Sequence, residues 1–109
     1  MTQMPILTVT LNPALDVSTG ADAVVPGIKL RCDMPVLDPG GGGINVSRAI
    51  AIMGGASTAF VALGGATGAQ LGAMLEDAGL SWREMRAPGE TRQSLAVIDR
   101  AGDQQYRFV

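Results

Sequence analysis

Apolar positions along the chain follow two periodicities, and these predict strands and helices in alternation. Residues 6–11 form an apolar, partly β-branched run that Asn12-Pro13 ends. A short continuous run of this kind is typical of a strand buried on both faces of a parallel sheet. Residues 58–63 repeat the pattern before Gly64-Gly65, and residues 80–86 are a further candidate. We therefore expect two or three parallel strands.

Two segments carry helical periodicity, and each ends at glycine. Residues 44–53 stop at Gly54-Gly55, and residues 67–78 stop at Gly79, as helices commonly do. The apolar row of the first helix is expected to face the sheet, and it comprises Val46, Ala49, Ile50 and Met53. In the second helix that face comprises Leu71, Met74 and Leu75. Strand, helix, strand, helix predicts an α/β layered fold.

Two other segments have a period of two. Apolar and polar residues alternate over 29–36, which predicts a half-exposed strand, and Pro35 favours a sheet edge. Residues 94–100 and 104–109 flank Ala101-Gly102-Asp103, which predicts a hairpin. Asp16 follows the first strand at its carboxyl end, where open α/β sheets place ligand-binding groups.

Composition narrows the classes of function. The chain has 109 residues, a net charge of −2 and no histidine. It is long enough for one small domain. The acidic balance argues against a nucleic-acid partner, and the lack of histidine excludes a His-activated nucleophile and argues against zinc. Cys32 is the single cysteine, and its apolar neighbours predict a buried thiol. With no basic leader and no apolar run of about 20 residues, we expect a cytoplasmic protein without a membrane span.

Four consecutive glycines, residues 40–43, open directly into the first predicted helix. Without Cβ atoms, backbone N–H groups can approach a ligand, and a helix N-terminus adds unpaired donors and partial positive charge. Asn45 adds a side-chain amide one residue into the predicted helix. A phosphorylated or hydroxyl-rich small molecule suits such a place, although a flexible hinge is the alternative. Asn45 and Val46 break the G-x-G-x-x-G pattern, and no Gly-Lys-Ser/Thr triplet occurs, so neither a Rossmann fingerprint nor a Walker loop is present.

Five motifs occur in order along the chain. They are residues 8–16 (TVTLNPALD), 27–31 (GIKLR), 39–49 (PGGGGINVSRA), 64–68 (GGATG) and 90–93 (ETRQ). In this order and spacing they resemble the N-terminal third of the PfkB carbohydrate kinases, which are ribokinase-like. The resemblance covers essentially the whole chain. It is strongest to the 6-phosphofructokinase branch, because 1-phosphofructokinases and tagatose-6-phosphate kinases usually carry lysine inside the glycine loop.

The resemblance implies an α/β/α sandwich with a small β-sheet lid. Core segments would be about 1–16 and 38–88, and lid segments about 17–37 and 89–109. It also implies a homodimer formed through the lid strands. The activity implied is ATP-dependent phosphorylation of a sugar phosphate, with fructose 6-phosphate giving fructose 1,6-bisphosphate in glycolysis.

The resemblance also assigns site residues. Asp16 matches the aspartate that accepts hydrogen bonds from sugar hydroxyls, and Gly40, Gly41 and Asn45 match the sugar-contacting loop. Lys29 and Arg92 match the basic residues that hold the 6-phosphate, and Arg31 matches a phosphate contact donated across the dimer. For each charged residue, an ordinary turn carboxylate or a solvated strand charge is the alternative.

The cofactors implied are ATP and Mg²⁺. The family's Gly-Ala-Gly-Asp signature, with its catalytic base, lies in the C-terminal half together with the adenine pocket, so no catalytic residue and no metal ligand is assigned here. We expect the chain to be the front part of a longer protein and inactive as a kinase alone. Three alternatives remain: a 1-phosphofructokinase or tagatose-6-phosphate kinase, a non-catalytic sugar-phosphate-binding or assembly module, and, disfavoured, half of a Rossmann domain.

Overall fold

A computed structural model describes residues 3–109. In chain order the elements are β1 (Leu7–Thr10), β2 (Ala14–Ala21), β3 (Val36–Gly40), α1 (Gly42–Ile52), β4 (Thr58–Leu63), α2 (Gly65–Asp77), β5 (Trp82–Arg86), β6 (Arg92–Asp99) and β7 (Gln104–Phe108). The predicted α/β class is confirmed, with both helices, the three strands of the parallel pattern and the hairpin at their expected places. Among residues 3–109, no helix is long and apolar enough to cross a membrane.

The first sheet has three parallel strands in the order β1-β4-β5. Both helices pack on the face that carries alternate residues of β1 and β4, namely Thr8, Thr10, Ala59, Val61 and Leu63. Leu71 and Leu75 of α2 are fully buried against it, as predicted, and Gly79 ends the segment after α2 at a φ of 72°.

The expectation that β1 is buried on both faces is wrong. Leu7 is 58% exposed and Val9 is 51% exposed, whereas Thr8 and Thr10 between them are buried. The reason is that α1 and α2 cover the same face, and no other helix of residues 3–109 covers the opposite one. Apolar content alone does not distinguish a covered strand face from an open one.

The face of α1 that meets the sheet also differs from the prediction. Ile44 and Ser47 are buried, whereas Val46 and Met53 are exposed. Ser47 lies inside because its hydroxyl shares hydrogen bonds with Thr8, at 2.7 Å, and with Ser57, at 2.8 Å. Burying a hydroxyl costs little free energy when all its hydrogen bonds are made. Ser47 can therefore face the sheet while the more apolar Val46 and Met53 remain exposed.

The second sheet has four strands in the order β3-β2-β6-β7, with β6 and β7 antiparallel as the predicted hairpin requires. β2 and β3 were not predicted, and the predicted strand over 29–36 is wrong, because residues 29–35 are irregular. The residues that carry the period-two pattern do not pair with a neighbouring strand. The edge position of β3 explains how it contains Pro39, which lacks an N–H donor.

The chain divides into two compact units. The first comprises Met1–Leu15 and Pro39–Arg92, and the second comprises Asp16–Asp38 and Gln93–Val109. Cys32 lies in the irregular segment of the second unit and is exposed. The predicted burial of its thiol is therefore wrong, because no strand forms there to turn it inward.

Candidate functional site

The glycine run of the first unit packs closely against the end of β1. A Cβ on Gly41 would lie 2.5 Å from Cγ2 of Thr10, and one on Gly43 would lie 2.5 Å from its Oγ1. Gly41 also has a φ of 143°, which L side chains rarely adopt. By contrast, a Cβ on Gly42 would meet nothing within 4 Å. Gly41 and Gly43 are thus needed for packing, and Gly42 faces open space.

The N-terminus of α1 starts in this run and carries little compensation for its partial positive charge. The N-cap, Gly41, offers no side-chain cap, and the first turn holds no acidic residue. One N–H, that of Ile44, donates to Oγ1 of Thr10 at 3.1 Å. The N-terminus of α1 thus lies beside glycine backbone that carries no side chains. This environment suits an anion or a hydroxyl-rich ligand.

The N-terminus of α2 is different, because a carboxylate from outside the helix caps it. The N–H of Thr67 donates to Oε1 of Glu90 at 2.5 Å. This hydrogen bond is the main reason why the pKa of Glu90 lies below its ordinary value of 4.5. Of the two helices, therefore, α1 is the one whose N-terminus is open to a ligand.

Asn45 and Arg92 belong to the same unit as the glycine run. Asn45 donates its backbone N–H to the carbonyl of Gly41 at 2.9 Å, and its side chain is exposed. Arg92 donates from its guanidinium to the carbonyl of Asn12 at 3.3 Å. The next residue, Pro13, lies against Gly41, with its Cα 3.6 Å from where a Cβ would be. The first unit thus brings Arg92 and the glycine run to the same Asn12-Pro13 turn.

Asp16 lies in β2 within the second unit, and it is half-buried. Its Oδ1 accepts a hydrogen bond from the hydroxyl of Ser94 on β6, at 2.5 Å. Asp16, Ser94 and Arg107 line one cavity of about 220 Å³. Ser94 was missed in the sequence, because its pairing with Asp16 depends on β2, which the residue pattern did not reveal.

Lys29 and Arg31 lie in the irregular segment of the second unit, and both side chains are exposed. The segment is fastened at Asp33, whose N–H donates to the carbonyl of Gly20 at 2.9 Å and whose carbonyl accepts from the hydroxyl of Thr19. The carboxylate of Asp33 also pairs with Arg100 at 2.6 Å. That pairing, with a second one to Asp22, raises the pKa of Arg100 above its ordinary range.

The predicted site residues are therefore divided between the units. Gly40, Gly41, Asn45 and Arg92 belong to the first, and Asp16, Lys29 and Arg31 belong to the second. Within residues 3–109, no group of three or more His, Cys, Asp or Glu side chains gathers closely enough to hold a metal ion. Since Mg²⁺ in kinases is held by one or two carboxylates together with substrate phosphates, no magnesium ligand is assigned among the described residues and no step is routed through one.

Known phosphofructokinases are similar to this chain in sequence and in fold. The ATP-dependent 6-phosphofructokinase isozyme 2 of Mycobacterium tuberculosis is 49% identical over 95% of this chain. A 1-phosphofructokinase of Xanthomonas campestris is 33% identical over 85% of the chain. Phosphofructokinase-2 from Escherichia coli, solved in complex with fructose-6-phosphate, superimposes over 98% of the chain with a TM-score of 0.90 and 48% identity. The same protein has been solved in a tetrameric inhibited form.

The chain spans about a third of the length of these relatives: 31% of the mycobacterial protein, 29% of the Xanthomonas protein and 35% of the E. coli chain. The model of the pfkB family carbohydrate kinases matches residues 11–109. That match covers nearly all of the sequence and includes every residue assigned to the site. The chain belongs to the pfkB family of carbohydrate kinases.

Proposed function

We propose that the intact protein transfers the γ-phosphoryl group of ATP to a sugar phosphate, and that this sugar phosphate is fructose 6-phosphate, giving fructose 1,6-bisphosphate in glycolysis. The observation that carries the proposal is the N-terminus of α1, which no acidic side chain of its first turn compensates and which is open at Gly42. It lies in the unit where Arg92 and the glycine run share the Asn12-Pro13 turn. A sugar phosphate offers hydroxyls to the N-terminus of α1 and an anionic phosphate to Arg92. Because ATP and phosphorylated sugars are its reactants, the cytoplasm is the proposed location.

Each site residue has a role in this proposal that suits its chemistry. Asp16 is an acceptor-only carboxylate, and since Ser94 occupies Oδ1, Oδ2 remains the oxygen proposed to bind a sugar hydroxyl. Gly40, Gly41 and Asn45 are proposed to contact the sugar. Lys29, Arg31 and Arg92 are proposed to bind the 6-phosphate, which prefers Arg forks and Lys point charges.

The proposed reaction is an in-line displacement. The 1-hydroxyl oxygen of the sugar forms a bond to the γ-phosphorus, the bond from that phosphorus to the ADP oxygen breaks, and the hydroxyl proton leaves to a base. Catalysis of this kind is mostly positioning and charge neutralisation. The described residues contribute the sugar side of that positioning, and neither the base nor the Mg²⁺-ATP site is assigned to them.

A homodimer through the second sheet is the proposed assembly. In the antiparallel register of β6 and β7, Leu95 lies opposite Phe108 and Val97 lies opposite Tyr106. These four side chains share one face, and Phe108 is 59% exposed. An exposed apolar face of this kind is typical of a subunit interface. Light scattering of the intact protein should give twice the subunit mass, and a monomeric mass would contradict the dimer.

The experiment that tests the function is an ADP-release assay on the intact protein with Mg-ATP. Fructose 6-phosphate, fructose 1-phosphate and tagatose 6-phosphate are offered separately. Preference for fructose 6-phosphate, lost in Asp16→Ala and Arg92→Ala, would support the proposal. Preference for another of these sugars would favour the 1-phosphofructokinase or tagatose-6-phosphate kinase alternative, and binding of a sugar phosphate without turnover would favour a non-catalytic module.

A further inference from the structure

The residues immediately before Arg92 are fastened to the turn between β4 and α2. The N–H of Thr91 donates to the carbonyl of Gly64 at 2.9 Å, and the N–H of Gly64 donates back to Oγ1 of Thr91 at 3.0 Å. A Cβ on Gly64 would overlap the carbonyl of Gly89. Thr91 itself is only 8% exposed. The two backbones thus touch directly, and a buried hydroxyl joins them.

Glu90 adds a second attachment to the same turn. Its carboxylate accepts the N–H of Thr67 at the first turn of α2 and lies over Gly65, where a Cβ would overlap it. Thr91 also lies against the next turn of the helix, since a Cβ on Gly68 would be 2.9 Å from its Oγ1. Consecutive residues therefore hold the chain to the N-terminal turn of α2 from two directions.

Arg92 comes next and is held at both of its ends. Its backbone continues directly from Thr91, and its guanidinium donates to the carbonyl of Asn12 at 3.3 Å. A guanidinium binds phosphate through a planar fork whose direction must match the phosphate oxygens. Small displacements of a substrate-binding group are costly in rate. An exposed arginine with this task needs a fixed backbone behind it.

We propose that Thr91 and Glu90 are positioning residues for Arg92: they fasten the preceding backbone to the N-terminal turn of α2 and so fix the direction in which the guanidinium meets the substrate's phosphate. This rests on the proposed function, in which Arg92 binds the 6-phosphate. The residue types suit the task. Threonine supplies a buried acceptor on a stiff β-branched side chain, and glutamate supplies a carboxylate that favours the positive end of a helix.

A purely structural role is the competing explanation, since capping α2 also stabilises the fold. Stability alone would not make the effect of Thr91 depend on Arg92. A double-mutant cycle separates the two, because residues that act through one group are non-additive. Thr91→Val keeps the shape of the side chain and removes only the hydroxyl, and Thr91→Ser restores that hydroxyl. Thr58→Val, on the half-buried start of β4, is the matched control.

The first measurement is steady-state ADP release by the intact protein with fructose 6-phosphate and Mg-ATP. In Thr91→Val and Glu90→Gln, the KM for fructose 6-phosphate should rise about tenfold, a shift of the size expected for loss of one charge-assisted contact. The KM for ATP and kcat should stay within about twofold, and Thr91→Ser should restore the wild-type KM. In an Arg92→Ala background, Thr91→Val should add less than about twofold.

The second measurement does not need activity. The NMR order parameter of the Arg92 Nε–H group in the ligand-free protein should fall in Thr91→Val and should be restored in Thr91→Ser. Unchanged Arg92 dynamics would overturn the inference, as would full multiplication of the Thr91→Val and Arg92→Ala effects. If wild-type protein does not turn over fructose 6-phosphate, the proposed function fails, and the order parameter still decides whether Thr91 positions Arg92.

Discussion

Ser94 donates its hydroxyl to Oδ1 of Asp16 at 2.5 Å, although 78 positions separate the two residues along the chain. Both side chains are half-buried and line the same cavity in the second unit. The hydrogen bond occupies one carboxylate oxygen and fixes the orientation of the other. Asp16 therefore presents a pre-oriented acceptor oxygen, which suits the sugar-hydroxyl contact proposed for it.

The first prediction follows from that pair. Ser94→Ala frees the Asp16 carboxylate to rotate, so the KM of the intact protein for fructose 6-phosphate should rise about tenfold, the size expected for a hydrogen bond to a charged group. The KM for ATP should not change. The measurement is steady-state kinetics with each substrate varied. Ser81→Ala, the same substitution at an exposed position of the first unit, is the control, and equal kinetics in both variants would contradict the role of Ser94.

The same pair shows how far the sequence predicts the site. Asp16 was assigned from the residues around it and from a family resemblance. Its partner could not be assigned, because β2 contains Ser18, Thr19 and Gly20 and lacks the apolar pattern of a strand. β2 forms through its pairing with β3 and β6, and long-range pairing of this kind is not encoded in any local window.

Elements with strong local periodicity were predictable for the opposite reason. Residues 58–63, residues 67–78 and the final hairpin each carry a pattern and a stop signal within one window. Prediction failed where hydrogen bonding opposed apolar content, as at Ser47, which is buried while Val46 is not. It failed again over 29–35, where side-chain attachments at Asp33 replace a ladder. Period-two alternation favours a half-exposed strand, but a strand also needs a neighbouring strand to pair with, and alternation does not provide one.

A second prediction concerns adjacent glycines. Gly41→Ala would place a Cβ 2.5 Å from Thr10 at a φ of 143°, so it should lower the free energy of unfolding by about 2 kcal/mol or more. Gly42→Ala meets no atom within 4 Å and lies inside α1, so it should leave stability unchanged or raise it by up to about 1 kcal/mol. Urea denaturation measures both values.

Gly42→Ala also tests where the ligand binds. If the sugar approaches the open side of the glycine run, the added methyl should weaken binding of fructose 6-phosphate while the fold stays intact. Isothermal titration of the intact protein measures this affinity. Wild-type affinity in a stable Gly42→Ala variant would place the sugar elsewhere and would weaken the role proposed for the α1 N-terminus.

A third prediction concerns pH. The pKa of Glu90 is lowered in the folded protein, chiefly by the hydrogen bond from Thr67. A lowered folded pKa means that the stabilisation is fully present above the unfolded value and is lost as the pH falls through the folded pKa. The stability advantage of wild type over Glu90→Gln should therefore be constant above about pH 5 and shrink at lower pH.

The measurement is the urea midpoint of both proteins as a function of pH. Glu84→Gln, on an exposed position of β5, controls for the loss of one negative charge. An advantage that grows on acidification would reverse the sign and contradict the capping role of Glu90. Added salt should reduce the advantage, because Glu90 is exposed to solvent and charge at a helix terminus is screened.

The last prediction concerns the segment that carries Lys29 and Arg31. Arg100 bonds the Asp33 carboxylate at 2.6 and 3.4 Å, and both side chains are about half exposed, 46% and 56%. A solvent-exposed pair of this kind stabilises only weakly, so Asp33→Ala should raise the open population of the segment by no more than about two- to fivefold. Trypsin, which cuts after lysine and arginine, should then cleave after Lys29 and Arg31 faster by the same factor.

Two controls test whether the ion pair is the cause. Asp22→Ala removes the more exposed partner of Arg100, 99% exposed, and should have a smaller effect. Raising the salt concentration should bring wild type towards the variant, because screening weakens the same pair. Equal cleavage of wild type and Asp33→Ala at low salt would show that the backbone bonds to Gly20 and Thr19 hold the segment by themselves.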